Sequence, residues 1–143
     1  MTVKAILANK GHSVVTIEPT ASLRAAVKIL SERRIGAVIV AGGEGRVIGM
    51  LSERDIVRTL AERGPEALDL TVDQVMTRRV VTCHEADTVN AIMERMTNGK
   101  FRHVPVLEGE RLVGVISIGD VVKYRLGEME AESNAMRDYI ATA

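Results

Sequence analysis

Aromatic side chains are nearly missing from this 143-residue chain: Phe101, Tyr124 and Tyr139 are the whole set, and tryptophan is absent. Without them there is no platform on which the bases of a nucleic-acid strand could stack. Neither sign of charge predominates, with nineteen Lys and Arg against nineteen Asp and Glu, so no net field draws the chain onto a phosphate backbone. Cysteine occurs once, at Cys83, which excludes an internal disulfide and a thiolate metal cluster within one chain. No apolar run approaches the ~18 residues a membrane span needs, and the opening MTVKAILANKGHS is too polar for a secretory leader. The expectation is a cytoplasmic protein with neither nucleic acid nor membrane as partner. With 46% hydrophobic and 27% charged residues the composition is that of a folded domain. The full length suits one compact unit, whereas half of it would be marginal alone.

What the chain does have is an internal repeat. Residues 14–41 align with 80–107 at an offset of 66: Val14, Val15 and Thr16 match Val80, Val81 and Thr82, and Val38 and Val40 match Val104 and Val106. One residue is then lost between GGEG (42–45) and EGE (108–110), and Arg46, Gly49, Ser52, Asp55 and Val57 match Arg111, Gly114, Ser117, Asp120 and Val122 at an offset of 65. A hairpin turn tolerates such a slip. Each copy has one rhythm. A β-rich stretch (13–17; 80–83) leads to a helix cap at Ser22 or Thr88. Leu23, Ala26, Val27 and Leu30, like Val89, Ile92, Met93 and Met96, then fall on one helical face. Two strands joined by a turn follow, 35–40 with 46–51 and 103–107 with 111–116, and a second helix begins after each Ser-x-x-Asp, carrying Ile56, Val57 and Leu60 in the first copy. The predicted architecture is a mixed α+β fold: two β–α–β–β–α repeats packed through their sheets into one core, with a C-terminal extension helix. The divisions are 1–67, first repeat with its lead-in; 68–126, linker and second repeat; and 127–143, the extension. The first helix closes at Gly64–Pro65, and a short helical turn lies around Val72–Met76.

Ser-x-x-Asp at a strand–helix junction has two readings. A serine N-cap with an acid three residues on approximates a capping box, worth about 1 kcal/mol. The same first turn presents free N–H groups and a partial positive charge to a phosphate. A serine hydroxyl can add a donor there, and an aspartate one turn on offers two acceptors to the vicinal hydroxyls of a ribose. The preceding glycine permits close approach. A cap can be borrowed by a ligand, so both readings stand.

Two copies of strand, helix, hairpin and GhhSxxDhh (h, apolar), with DQVMT (73–77) and FRHVPV (101–106) in place, resemble a tandem pair of cystathionine-β-synthase-type (CBS) domains over roughly residues 3–126. The resemblance implies a non-catalytic regulatory module that binds an adenine nucleotide in the cleft between the repeats: AMP or another, with NAD and NADH as further candidates. By position it assigns Ser52 and Asp55 to the phosphate and ribose of one site, Ser117 and Asp120 to those of the other, and Thr16 and Thr82 to base or phosphate contacts. Phe101, Arg102 and His103 fall where the family holds adenine and phosphate; Gly36 and Ala37 stand there in the first copy, which has Arg54 inside its motif instead. Each pocket thus has its own candidate cation, and the sites are expected to be non-equivalent.

Other features have plainer readings. His12 is a surface residue, GGEG lacks the Lys–Ser/Thr of a phosphate loop and reads as a turn, and Cys83–His84 points its side chains to opposite faces of a strand, which no metal would bridge. The tail 118–140 reads as one helix with Val122, Leu126, Met129, Ser133, Met136 and Ile140 in a 4–3–4–3–4 seam. That predicts a homodimer, beside a further regulated protein of unknown kind. The alternatives are a dimerisation module whose motifs are only caps, or a nucleotide-processing enzyme, for which no nucleophile–base spacing repeats.

Overall fold

Ser22 and Thr88 cap the first helix of each repeat as their sequence positions require: Ser22 Oγ accepts the Ala25 N–H and Thr88 Oγ1 the Ala91 N–H, both at 3.1 Å. The computed structural model describes residues 1–142. It runs α1 (Val3–Lys10), β1 (Thr16–Ile17), α2 (Leu23–Arg33), β2 (Ala37–Ala41), β3 (Val47–Ser52), α3 (Glu53–Arg63), α4 (Val72–Val75), α5 (Val89–Gly99), β4 (His103–Glu108), β5 (Arg111–Ser117) and α6 (Ile118–Thr142). A 3-10 turn, Gly43–Gly45, joins β2 to β3, and another, Gly64–Asp69, follows α3.

The sheets repeat down to their irregularities. β2 and β3 pair antiparallel from Ala37↔Ser52, and β4 and β5 from His103↔Ser117, with register shifts at the matching places Val40/Ala41 and Val106/Leu107. β1 lies parallel to β2. The expected strand 80–83 is reduced to one parallel bridge, Cys83↔Val106, which repeats the Ile17↔Val40 pair. Each leading stretch is therefore shorter than its β-branched composition suggested, because it meets the sheet only at that edge. On the helices, Leu23, Ala26 and Leu30, with Val89, Ile92 and Met96, are buried, but Val27 and Met93, at matching positions, are each 37% exposed. Val57 is exposed as well, while Ile56 is buried.

One shared core was expected; the buried side chains form two. Val3, Ile6 and Leu7 of α1 lie in the core of the second repeat with Cys83, Val89, Ile92, Met96, Val104, Val106, Ile116 and Val121. Val72 and Met76, from the segment that leads into the second repeat, lie with Ala67 in the core of the first. Each repeat is thus closed by a segment that precedes the other. The two dock identically: Val3 and Lys4 donate N–H groups to the carbonyls of Asp87 and Glu85, and Val72 and Asp73 donate to those of Ala21 and Pro19. The motif glycines make this docking possible. A Cβ on Gly49 would stand 2.5 Å from Met76 Sδ, and one on Gly114 2.7 Å from Leu7 Cδ2. Their bareness serves the crossing segments.

Cys83 sits in the second core, 1% exposed. Burial first, then the charges of Asp87 and Glu108 against that of Arg95, pushes its thiol up to about 12. Maleimide at pH 8 should therefore label the native chain on the order of 10³-fold more slowly than the chain unfolded in guanidinium. Equal rates would contradict this burial.

Candidate functional site

Both Ser-x-x-Asp motifs lie where a strand passes into a helix without a loop, β3 into α3 and β5 into α6. Both close a full capping box. Asp55 N–H donates to Ser52 Oγ (3.2 Å) and Ser52 N–H to Asp55 Oδ2 (3.0 Å); the Asp120 and Ser117 bonds measure 3.1 and 2.9 Å. The boxes answer the free amides and positive end of each helix.

Beyond the boxes the two motifs differ. Asp55 is buried, and its second oxygen, Oδ1, accepts from Arg58 Nη2 at 2.9 Å. Arg58 is well exposed, so that pair adds little. Asp120 instead accepts from Lys10 Nζ at 2.6 Å, on the same Oδ2 that holds Ser117. Neither bond uses Oδ1. Lys10 also donates to the Val115 carbonyl at 2.8 Å. Burial raises the Asp120 carboxyl, but the bonds from Lys10 and Ser117 outweigh it and hold it below the ordinary carboxylate range.

The start of β4 brings the repeats together. His103, opposite Ser117 in the ladder, is half-buried. A Cβ on Gly36 would lie 3.5 Å from His103 Cε1 and 3.6 Å from Glu53 Oε1, so the imidazole of the second repeat faces the strand–helix junction of the first. Burial lowers its pKa most, with Lys10 and Arg102 assisting and Glu53 and Asp120 opposing. Lys10, Glu53, His103 and Asp120 therefore make one polar cluster at the seam between the repeats, with Ser117 beside it.

The remaining candidates are dispersed. Arg54 and Arg102 are exposed, and the Arg102 carbonyl accepts the Ile118 N–H at 2.8 Å as that of Gly36 accepts Glu53 N–H at 2.9 Å. Ala37 pairs with Ser52 across the sheet. Thr16 lines an open cleft of about 720 Å³ at the hairpin end of the sheets, between Ala41–Gly45 and Glu108–Leu112, whereas the boxes lie at the other end. The Thr82 carbonyl accepts from Arg95. Phe101 packs against the second core. Asp120 also lines a cavity of about 530 Å³ between α1 and α6, with Ile6, Lys10 and Tyr124.

Sequence reasoning missed Lys10 and Glu53. A signal for Lys10 existed: Thr2-Val3-x-x-Ile6-Leu7 recurs as Thr71-Val72-x-x-Val75-Met76 at an offset of 69. That repeat places α1 over the second unit, and Arg79 at the position of Lys10. Nothing comparable marks Glu53.

The CBS domain family model matches residues 3–62 and again 72–127. This chain belongs to the CBS-domain family. A solved CBS-domain protein of Agrobacterium tumefaciens, ATU1752, is 47% identical, with a TM-score of 0.85 over 87% of this chain and 92% of that one. The CBS-domain protein PAE2072 of Pyrobaculum aerophilum, solved in complex with AMP, is 28% identical with a TM-score of 0.75, over 84% of this chain and 89% of that one. The mitochondrial CBS domain-containing protein CBSX3 of Arabidopsis thaliana is 30% identical over 119 residues, 80% of this chain and 58% of that protein. The chain spans from a third to two thirds of the length of the first curated relatives it matches. Within the family frame, the two boxes are the paired strand–helix junctions of a CBS pair, and the cluster around His103 lies where the two CBS repeats adjoin.

Proposed function

We propose that this CBS pair is a non-catalytic sensor that takes an adenine nucleotide at the seam between its repeats and passes its occupancy to a partner protein. The observation that carries the reading is the Lys10–Asp120–His103 cluster at the start of α6. Asp120 Oδ1 is left to accept from a ribose hydroxyl without giving up its cap, since both existing bonds lie on Oδ2. Lys10 answers a phosphate, with the Gly119 N–H beside it, since the Ile118 and Asp120 amides are already bonded to the Arg102 carbonyl and Ser117 Oγ. A nucleotide there would draw Lys10 from Asp120, and Lys10 sits at the end of the helix that closes the second core, so binding acts on the position of α1. At the first box both Asp55 oxygens carry a bond, though the one from exposed Arg58 is weak; the unbonded Oδ1 of Asp120 and the lysine beside it are the reasons the second site is read as the tighter one. The AMP complex of PAE2072 supports a mononucleotide ahead of NAD or NADH.

A melting scan with AMP, ADP, ATP, S-adenosylmethionine, NAD and NADH tests this. Ligand at a hundredfold excess over its dissociation constant stabilises the chain by about 2.7 kcal/mol, a rise of roughly 10 °C at this size. Asp120→Ala should abolish the larger part of the shift, and the nucleotide should be recovered unchanged. No shift with any of the six at millimolar concentration overturns the reading.

A further inference from the structure

From residue 129 onward every described residue of α6 is exposed, and Ala131 is the last to line the cavity between α6 and α1. The face toward the body is carried by Val121, Tyr124, Arg125 and Glu128, buried or half-buried. On another face Val122, Leu126, Met129, Met136 and Ile140 lie between 49% and 66% exposed, with Ser133 in line. A projecting helix of this length is marginal by itself in water, so the stripe calls for a cover.

The charges beside it identify the cover. With Leu126, Ser133 and Ile140 at heptad position a and Val122, Met129 and Met136 at d, position e holds Lys123, Glu130 and Arg137, and position g holds Arg125, Glu132 and Tyr139. In a parallel pair of helices each g residue meets the e residue five places on in its partner. A second copy would thus set Arg125 against Glu130 and Glu132 against Arg137, each twice by symmetry, and all six seam positions would meet their own counterparts. Antiparallel pairing with Val122 opposite Ile140 sets Glu130 against Glu130, Glu132 against Glu132 and Lys123 against Arg137. A second antiparallel register matches Lys123 with Glu130 and Arg125 with Glu132 but carries Ile140 past the start of the partner helix. We propose that the tail helices of two copies join as a parallel, in-register coiled coil, its register pinned by the polar Ser133 layer.

The test uses the full chain. Sedimentation at about 50 µM should give a dimer, and Leu126→Lys, at an exposed site that leaves the fold intact, should weaken dimerisation by at least about a hundredfold. Arg125→Glu should weaken it about tenfold and Arg125→Glu with Glu130→Arg should restore it; loss of the Arg125–Glu128 bond within the helix would not be rescued that way. Ser133→Cys should form a disulfide-linked dimer on mild oxidation while Ala131→Cys, away from the seam, does not, because only the parallel register brings residue 133 opposite itself. A monomer, a dimer indifferent to Leu126→Lys, or an unlinked Ser133→Cys dimer overturns the proposal. The outcome is independent of nucleotide binding.

Discussion

Leu7→Ala is expected to cost about 3–5 kcal/mol, and to do so in the repeat to which the sequence does not assign it. Leu7 is fully buried among the side chains of the second repeat, and its loss opens a cavity beneath β5, where Gly114 has no side chain to fill it. Urea denaturation gives the magnitude. Hydrogen exchange gives the location: amides of β4 and β5 should lose protection while those of β2 and β3 keep it. Met76→Ala should show the reverse, loosening β2 and β3 from a residue that follows the first repeat. Uniform loss of protection in both cases would mean that the two cores are energetically one.

Giving Gly49 a side chain should be nearly as damaging. The new Cβ of Gly49→Ala would meet Met76 Sδ at 2.5 Å and the Thr77 carbonyl oxygen at 3.0 Å. The sulfur can move; the carbonyl cannot, because Met50 and Thr77 exchange N–H···O bonds of 3.0 and 2.9 Å that hold the crossing segment against β3. About 3 kcal/mol is expected. Gly114→Ala meets only the flexible end of Leu7, at 2.7 and 3.0 Å, and should cost about 1–2 kcal/mol. Thermal unfolding of the two variants side by side checks the order. Equal costs would show that the backbone near Thr77 yields as readily as a side chain.

What could be read from the sequence was what is decided within a few residues. The caps at Ser22 and Thr88, both hairpins, the break at Gly64 and the long tail helix follow from turn chemistry and helical spacing. Val27 and Met93 share the apolar face of their helices and are yet 37% exposed, because periodicity shows which face is apolar but not how wide a strip of it the sheet covers. The second core was missed because its cover lies at the far end of the chain, under a six-residue motif whose offset differs from that of the main repeat. The site followed the same division. Both capping boxes are local and were legible; the Lys10–Asp120 bond joins residues 110 apart, and nothing near Asp120 announces it.

The crossing of α1 and α4 bears on the origin of the chain. A solitary ancestor holding one unit would have had an open flank where its own leading turn could not reach. Two such molecules could have sealed each other only by trading those turns, and end-to-end fusion would turn that trade into an internal one. Severed near residue 68, the halves should regain their shape only when mixed.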